Sequence, residues 1–202
     1  AQKKLNLPRN PRDYTSIAVT TDDSNDEIVY ASSMGDGVIQ YKNGTPVQSY
    51  NEKNAFKETA GGYGSGYCYI DGLAFDKNGN LWMTSSEVNH AVLVLDKAGA
   101  WHRLDIEQLR GVYTINDILI TSTNDKWIYV PRNTPKLVMI PNSESLDEVS
   151  SYEFTTLIDT DGKELTPSNY TCVAEDKDGY IWVGTNRGAV YFTKPRISSA
   201  ED

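Results

Sequence analysis

The sequence predicts an all-β protein assembled from a small antiparallel sheet that is repeated along the chain. The segment 70–84 recurs as 170–185, and each copy carries two apolar runs separated by turn residues. The chain contains 13 Tyr and 4 Trp, which are large side chains favoured in sheets. Helical periodicity is nearly absent. These three observations together favour strands over helices throughout the chain.

The two clearest copies begin with a predicted β-hairpin. Its turn has the sequence Asp-Lys-Asn-Gly at 76–79 and Asp-Lys-Asp-Gly at 176–179. Aspartate can accept a hydrogen bond from the backbone two residues further on, and glycine adopts positive φ without a Cβ clash. The strand that follows carries Trp82 in one copy and Trp182 in the other. The aromatic position is therefore part of the repeat.

Two further copies are more divergent. One spans 115–130, contains Trp127 at the aromatic position and has lost the turn glycine. The other lies at the start, over 14–33, with a longer polar loop and Tyr30 in place of the tryptophan. The same order of apolar run, turn and aromatic run remains visible in both, so we expect four related hairpins.

Each copy continues into a third apolar run, and three of the copies continue into a more polar fourth run. Strands that become more polar outward are typical of a propeller blade, whose inner strands are buried on both faces. Short helical turns are predicted in two connections between strands. The third runs lie at 38–41, 91–95, 136–140 and 189–192, the fourth at 46–50, 100–104 and 152–157, and the helical turns at 106–110 and 145–149.

The predicted fold class is therefore all-β, with β-propeller blades that are four-stranded antiparallel sheets. Residues 1–202 form one propeller segment of about four blades. Propellers usually contain roughly 4 to 8 blades, and the chain stops at 198–202, shortly after the third run of its last copy. We therefore expect an incomplete segment of a larger propeller, whose remaining blades belong to the same or a neighbouring chain. The predicted blades span 14–50, 69–105, 113–158 and 169–194.

The repeats resemble the two-component regulator propeller repeat, an apolar strand followed by Asp-x-x-Gly-x-Leu/Ile-Trp-hydrophobic-Gly-Thr and x-x-Gly. The segment 182–188 matches this pattern closely, and 76–84 matches it with a looser tail. The resemblance implies a propeller of a periplasmic sensor of the hybrid histidine kinases, or of a secretion accessory protein. Segments 29–37, 80–84 and 100–102 are similar to the PorZ-type propeller of the type IX secretion system, which implies a periplasmic or cell-surface location.

Composition limits the classes of partner. A formal net charge of −9 and a pI near 4.7 disfavour nucleic acid, because such binding depends on Lys and Arg that replace counterions. No apolar run reaches the roughly 20 residues of a spanning helix, so we expect no membrane insertion within this segment. We therefore predict a non-catalytic module for ligand sensing, whose partner is a glycan or a protein.

Catalytic residues, metal sites and cofactors are not expected. His90 and His102 are the only histidines, and nothing places a nucleophile beside either of them. The acidic turns 76–79, 159–162 and 176–179 could suggest calcium, but none has the spacing of an EF-hand loop. The alternative is a propeller enzyme of the lactonase or polysaccharide lyase type, which would gather Glu, Asn, Asp or His around a central metal.

Aromatic and glycine residues supply the remaining candidates. The Gly- and Tyr-rich loop 61–67 lacks the pattern of a phosphate-binding loop and is predicted to be a flexible connection that could contact a ligand. Trp101 lies on a polar outer strand and is the first candidate for an exposed aromatic contact. The other three tryptophans, Trp82, Trp127 and Trp182, are predicted to pack between blades, and Cys68 and Cys172 to be unpaired core residues.

Overall fold

The computed structural model of the chain describes residues 13–61, 66–158 and 161–192. Within these ranges the structure consists of strands and one short 3-10 helix, Glu107–Leu109, which confirms the all-β prediction. The helix lies in the predicted connection 106–110. The other predicted helical turn, 145–149, is irregular instead.

Sheets I and II are four-stranded and antiparallel. Two pairs join the end of β2 to the start of β5, Met34 with Tyr69 and Gly35 with Cys68, so the two sheets are continuous at their inner edges. Sheet I contains β1 (Tyr14–Thr21), β2 (Glu27–Gly35), β3 (Gly37–Lys42) and β4 (Thr45–Tyr50). Sheet II contains β5 (Cys68–Phe75), β6 (Leu81–Ser85), β7 (Val92–Leu95) and β8 (Trp101–Leu104).

Sheets III and IV repeat the arrangement, and a two-stranded hairpin that was not predicted lies between them. Sheet IV has three strands among the described residues. Sheet III contains β9 (Ile118–Ile120), β10 (Lys126–Val130), β11 (Lys136–Ile140) and β12 (Tyr152–Phe154). The hairpin is β13 (Leu157–Ile158) with β14 (Glu164–Leu165), and sheet IV contains β15 (Tyr170–Glu175), β16 (Ile181–Thr185) and β17 (Gly188–Phe192).

The predicted turns form as expected. Asp76 Oδ1 accepts the backbone N–H of Asn78 at 2.9 Å and of Asn80 at 2.8 Å, and Gly79 has φ +83°. The Oδ2 atom accepts the indole N–H of Trp82 at 2.9 Å, six residues further on. Asp176 and Trp182 repeat this bond at 2.7 Å. The motif therefore joins turn and aromatic strand through one carboxylate.

The third repeat departs from this design. Thr121 replaces the turn aspartate, and the indole N–H of Trp127 has no hydrogen-bond partner among the described residues. Asn124, with φ +69°, replaces the turn glycine, and its Oδ1 accepts the backbone N–H of Lys77 from sheet II at 2.9 Å. Lys126 is fully buried, with Nζ 4.5 Å from the centre of the Trp82 ring. These changes give the interface between sheets II and III its own contacts.

Three apolar clusters lie between consecutive sheets, as expected for blades that pack face to face. Trp82 packs against sheet III in a cluster with Ile118, Ile128 and Val138. Trp127 packs in the same way in a cluster with Ile181 and Val183 of sheet IV. The cluster between sheets I and II contains Ala18, Val38, Leu73, Met83 and Leu93.

Three side-chain predictions were wrong. Trp182 is 41% exposed, because no described strand covers the outer face of sheet IV. Cys172 lies exposed in the same sheet, whereas Cys68 is buried, and both are free. Trp101 is half-buried and makes edge contacts with Tyr50 at 5.5 Å and Phe56 at 5.4 Å. Residues 62–65, 159–160 and 198–202 of the predicted loop, acidic turn and chain end lie outside the described residues.

Candidate ligand-binding cleft

The four sheets contribute to one open cleft of about 610 Å³. Its wall includes one residue from the same repeat position of every sheet, within or just before the first strand. This position is the second residue of each repeat, occupied by Thr15, Asp71, Asn116 and Thr171. Each copy of the repeat therefore contributes the residue at this position to the wall of the cleft.

Hydroxyl groups link neighbouring sheets around the cleft. In each case a side chain of one sheet donates to a backbone carbonyl of the next sheet along the chain. Such bonds give these backbone carbonyls a partner from outside their own sheet. The bonds run from Thr15 Oγ1 to Ile70 O (2.6 Å), from Thr84 Oγ1 to Asn116 O (2.9 Å) and from Tyr129 Oη to Thr171 O (3.1 Å).

Gly72 allows sheets II and III to approach closely beside the cleft. A Cβ atom at this position would lie 2.8 Å from Cα and Oδ1 of Asp117 and 2.8 Å from the backbone N of Ile118. These distances are too short for any other residue without a backbone shift. Glycine at this position therefore brings the carboxylates of Asp71 and Asp117 into the same wall.

Asp71 is the most enclosed charged group of the cleft. Ser86 donates a hydrogen bond to its Oδ2 at 2.7 Å, and Ser86 Oγ accepts the backbone N–H of Ile115 at 2.8 Å. Burial raises the pKa of Asp71 to about 7, although the bonds from Ser86 oppose this rise. The carboxyl group is therefore held near the midpoint of its titration at neutral pH.

Asp117 and Arg132 are the other two ionic groups of the wall, and both are exposed. The surrounding protein still raises the pKa of Asp117 through desolvation, while a bond from the backbone N–H of Ile118 lowers it. No ion pair involves Asp71, Asp117 or Arg132 among the described residues. The charges of the cleft are therefore available to a ligand.

Two buried polar atoms in residues of the wall also lack a partner among residues 13–61, 66–158 and 161–192. They are the hydroxyl oxygen of Tyr170, a fully buried residue, and the side-chain oxygen of Asn169. Unsatisfied buried polar atoms are uncommon in folded proteins and call for an explanation such as a water or a ligand. The remaining residues of the wall are Met34, Thr114, Tyr129 and Pro131.

The histidines lie outside this cleft. His90 Nδ1 is 2.9 Å from Glu58 Oε1, and the other oxygen of Glu58 accepts the backbone N–H of His90 at 3.1 Å. His102 lies 3.0 Å from Asp96 and 3.5 Å from Asp147. His90 therefore links two loops, and His102 links strand β8 to two loops.

The described part of the chain contains no group of three or more His, Cys, Asp or Glu residues arranged to hold a metal ion. In the turns 76–79 and 176–179, the carboxylates of Asp76 and Asp176 instead accept hydrogen bonds from their own backbone. No helix in the described ranges has the length and apolar character needed to cross a membrane.

Sequence reasoning missed the residues of the cleft. A signal was present, because the second residue of each aligned repeat is polar in all four copies, whereas the fourth residue is apolar in all four. A polar position that recurs in every blade can line the channel around which propeller blades are arranged.

Comparisons with known proteins agree with this architecture. A family model described as two component regulator propeller matches residues 164–187, from β14 to the turn before β17. No match was found among curated proteins. The matched segment contains the turn 176–179 and Trp182, which carry the repeat pattern.

Solved structures share the fold at low identity. PorZ, a bacterial surface component of the type-IX secretion system of Porphyromonas gingivalis, has a TM-score of 0.76 and 18% identity over 87% of this chain and 24% of its own. The extracellular domain of a protein of B. thetaiotaomicron, described as a hybrid two component system, has a TM-score of 0.60 and 14% identity over 91% of this chain and 22% of its own.

A protein of Bacteroides uniformis described as a 6-phosphogluconolactonase has a TM-score of 0.57 and 10% identity over 91% of this chain and 51% of its own. At these identities the likeness shows the fold alone, and it confirms the prediction of β-propeller blades. The chain spans about a quarter of the length of the first two structures.

Proposed function

Because the chain contains a two-component regulator propeller repeat within a β-propeller fold, we propose that it is a non-catalytic module of the cell envelope that binds a glycan in its cleft. One observation carries this proposal. The wall takes a polar residue from the same repeat position of all four sheets, and eight of its twelve residues are Thr, Asn, Asp or Arg.

Such a wall suits a polyhydroxylated ligand better than an apolar one. Sugar hydroxyls both donate and accept hydrogen bonds, and the threonine, asparagine and carboxylate groups of the wall supply both kinds of partner. Met34 and Pro131 add apolar surface to this wall, which the apolar faces of a sugar ring can cover. A stable protein partner usually buries roughly 800 Å² of each surface, whereas small ligands bind in concave clefts, so a glycan fits this cleft better than a protein.

The absence of catalysis is supported by the contents of the wall. Asp71 is the only enclosed acid, and Ser86 already occupies one of its oxygens. The twelve residues that line the cleft include no histidine, lysine or cysteine that could act as a base or nucleophile. Localisation to the periplasm or cell surface is supported by the similar folds of a surface component and of an extracellular domain.

A glycan array probed with the labelled chain tests this proposal. Asn116→Trp would fill the cleft from an exposed position, and Asn78→Trp is the matched control, because Asn78 is exposed in a turn outside the cleft. We expect glycan binding by the wild type and the control, and a loss of about tenfold or more in affinity for Asn116→Trp.

Two results would contradict the proposal. A silent array, or glycan binding that Asn116→Trp leaves unchanged, would remove the cleft from glycan recognition. Turnover of a sugar lactone or of a uronide polymer by the purified chain would favour the lactonase or lyase alternative.

A further inference from the structure

The acidic groups of the cleft are not matched by basic groups of the protein. The carboxylate of Asp71 accepts a hydrogen bond from Ser86. The carboxylate of Asp117 accepts one from the backbone N–H of Ile118 and has no other hydrogen bond among the described residues. Neither carboxylate is within ion-pair distance of a Lys, Arg or His in that part of the chain. A carboxylate in a cleft without a counter-charge is stabilised by a cationic ligand.

Arg132 does not cancel this polarity. Its side chain is exposed, whereas Asp71 is partly enclosed by sheets II and III. Exposed charges are screened by solvent more strongly than enclosed charges. The field felt by a group deep in the cleft is therefore dominated by the acid. The formal net charge of −9 for the whole chain acts in the same direction on an approaching ligand.

The unpartnered atoms of the wall provide an independent indication. The side-chain oxygen of Asn169 is an acceptor, and the hydroxyl oxygen of the fully buried Tyr170 can accept as well as donate. Both atoms are enclosed by protein, so they act on the cleft through the negative partial charge of an oxygen that has no donor, and not through direct contact with a ligand. The carboxylates of Asp71 and Asp117 are the charged acceptors that line the cleft itself. An ammonium group has three N–H donors and no acceptor, so it suits these carboxylates.

We propose that the cleft selects sugars that carry a primary ammonium group, with Asp71 and Asp117 as the groups that recognise the positive charge. This inference rests on the proposed glycan-binding function and narrows its ligand class. A neutral sugar can still bind through the hydroxyl and amide groups of the wall. A uronate is disfavoured, because its carboxylate would lie near those of the wall.

Binding is expected to depend on pH. The titratable and charged groups of the wall are Asp71, Asp117, Arg132, Tyr129 and Tyr170. Burial raises the pKa of both tyrosines, so that neither titrates near neutrality. Burial raises the pKa of Asp71 to about 7, and the ionised form attracts an ammonium group more strongly than the protonated form does. Affinity for an amino sugar should therefore rise about fourfold from pH 6 to pH 8, with release of a proton on binding.

Matched methyl glycosides provide the test, used in the gluco, galacto and manno configurations. In each set C5 carries a hydroxymethyl, an aminomethyl or a carboxylate group. The charge therefore changes while the ring stays the same. We expect the 6-amino sugar of the preferred configuration to bind about fivefold more tightly than its hydroxyl parent at pH 7.5, and the uronate to bind most weakly. Isothermal titration calorimetry in two buffers of different ionisation enthalpy measures affinity and proton release together.

The double variant Asp71→Asn, Asp117→Asn should bind the amino sugar and the hydroxyl parent with about equal affinity. Asparagine retains an oxygen that can accept the bond from Ser86, so the fold is preserved. Asp23→Asn is the control for the loss of negative charge, because Asp23 is exposed and outside the wall. It should keep the fivefold preference.

The outcomes separate the two proposals. Equal or tighter binding of the neutral sugar or the uronate would overturn the charge preference, while binding of any sugar in the cleft would still support glycan recognition. A preference for the amino sugar that survives in the double variant would also overturn it. If the array and all nine glycosides give no binding, the proposed function fails, and the inference with it.

Discussion

Replacement of Asp76 by alanine should be among the most destabilising single changes in the chain. Its carboxylate accepts four hydrogen bonds, from the indole N–H of Trp82 (2.9 Å), the backbone N–H of Asn78 (2.9 Å), and the backbone and side-chain N–H groups of Asn80 (2.8 and 2.9 Å). Trp82 is 1% exposed, so water cannot replace the lost acceptor of its indole.

The expected loss follows from these contacts. A buried donor left without an acceptor costs ~1–3 kcal/mol, and a hydrogen bond to a charged group contributes ~1.5–3 kcal/mol. Water can satisfy the backbone N–H of the exposed Asn78, so the four bonds do not add fully. We therefore expect Asp76→Ala to lower the free energy of unfolding by about 3–5 kcal/mol.

Asp176 offers a matched control, because it makes the same turn and indole bonds at a more exposed place. It accepts the indole N–H of Trp182 at 2.7 Å and the backbone N–H of Tyr180 at 3.0 Å, and these bonds help to keep the pKa of its carboxyl low. Trp182 is 41% exposed, so water can take over as acceptor. Asp176→Ala should therefore shift the unfolding midpoint much less than Asp76→Ala.

Urea unfolding followed by circular dichroism and by tryptophan fluorescence measures both variants against the wild type. Equal shifts of the midpoint for Asp76→Ala and Asp176→Ala would refute the reasoning, because they would show that burial of the indole does not determine the cost. A small loss for Asp76→Ala alone would show that the carboxylate contributes little beyond solvation.

Three further changes test the packing between sheets and the cleft. Lys126→Leu should stabilise the chain by ~1 kcal/mol at pH 7 in urea unfolding, because burial lowers the pKa of this lysine, and the gain should shrink as the pH rises toward 10.5. Gly72→Ala should lower the thermal midpoint by an amount equivalent to ~1–3 kcal/mol, since the added Cβ would lie 2.8 Å from the Cα of Asp117. Gly61→Ala is the control and should leave the midpoint unchanged, because its Cβ would meet nothing within 4 Å. Asp71→Asn should be more stable than the wild type by about 2–4 kcal/mol at pH 8. The reason is that the wild type loses stability as the pH rises from the ordinary aspartate pKa of 3.8 to the folded-state pKa of about 7. Unfolding curves measured near pH 4 should show no difference between the two proteins.

The hairpins could be predicted because their signals are local. The Asp-x-x-Gly turn determines where the chain reverses, and the positive φ of Gly79 and Gly179 is a requirement of that turn. Trp82 and Trp127 follow from the same repeat, since a large aromatic side chain at one register position must find cover on the next sheet. Both are 1% exposed in the structure.

Burial that depends on distant segments could not be predicted in the same way. Trp101 follows a polar pattern along its own strand, but Tyr50 and Phe56 of the preceding repeat cover it. Trp182 has the sequence context of a core residue and remains exposed, because burial depends on a neighbouring sheet and not on the strand itself.

The cleft illustrates the same limit at larger scale. Thr15, Asp71, Asn116 and Thr171 are far apart in the sequence, and they share a wall only because four sheets direct their inner strands to one place. Alignment of the repeats identifies the shared position, but the enclosure of Asp71 and its contact with Ser86 depend on tertiary packing.

The divergence of the third repeat has a consequence for how the chain assembles. Tandem units with identical surfaces can dock in the wrong order, and this is a known route to misfolding in repeat proteins. Here the side chain of Asn124 accepts the backbone N–H of Lys77, and the ammonium group of Lys126 lies over the ring of Trp82. Ser122 binds Glu175 in the following sheet. The two boundaries of sheet III thus have different contacts, so the departures of this copy from the common pattern favour the pairing of sheets that are neighbours in sequence.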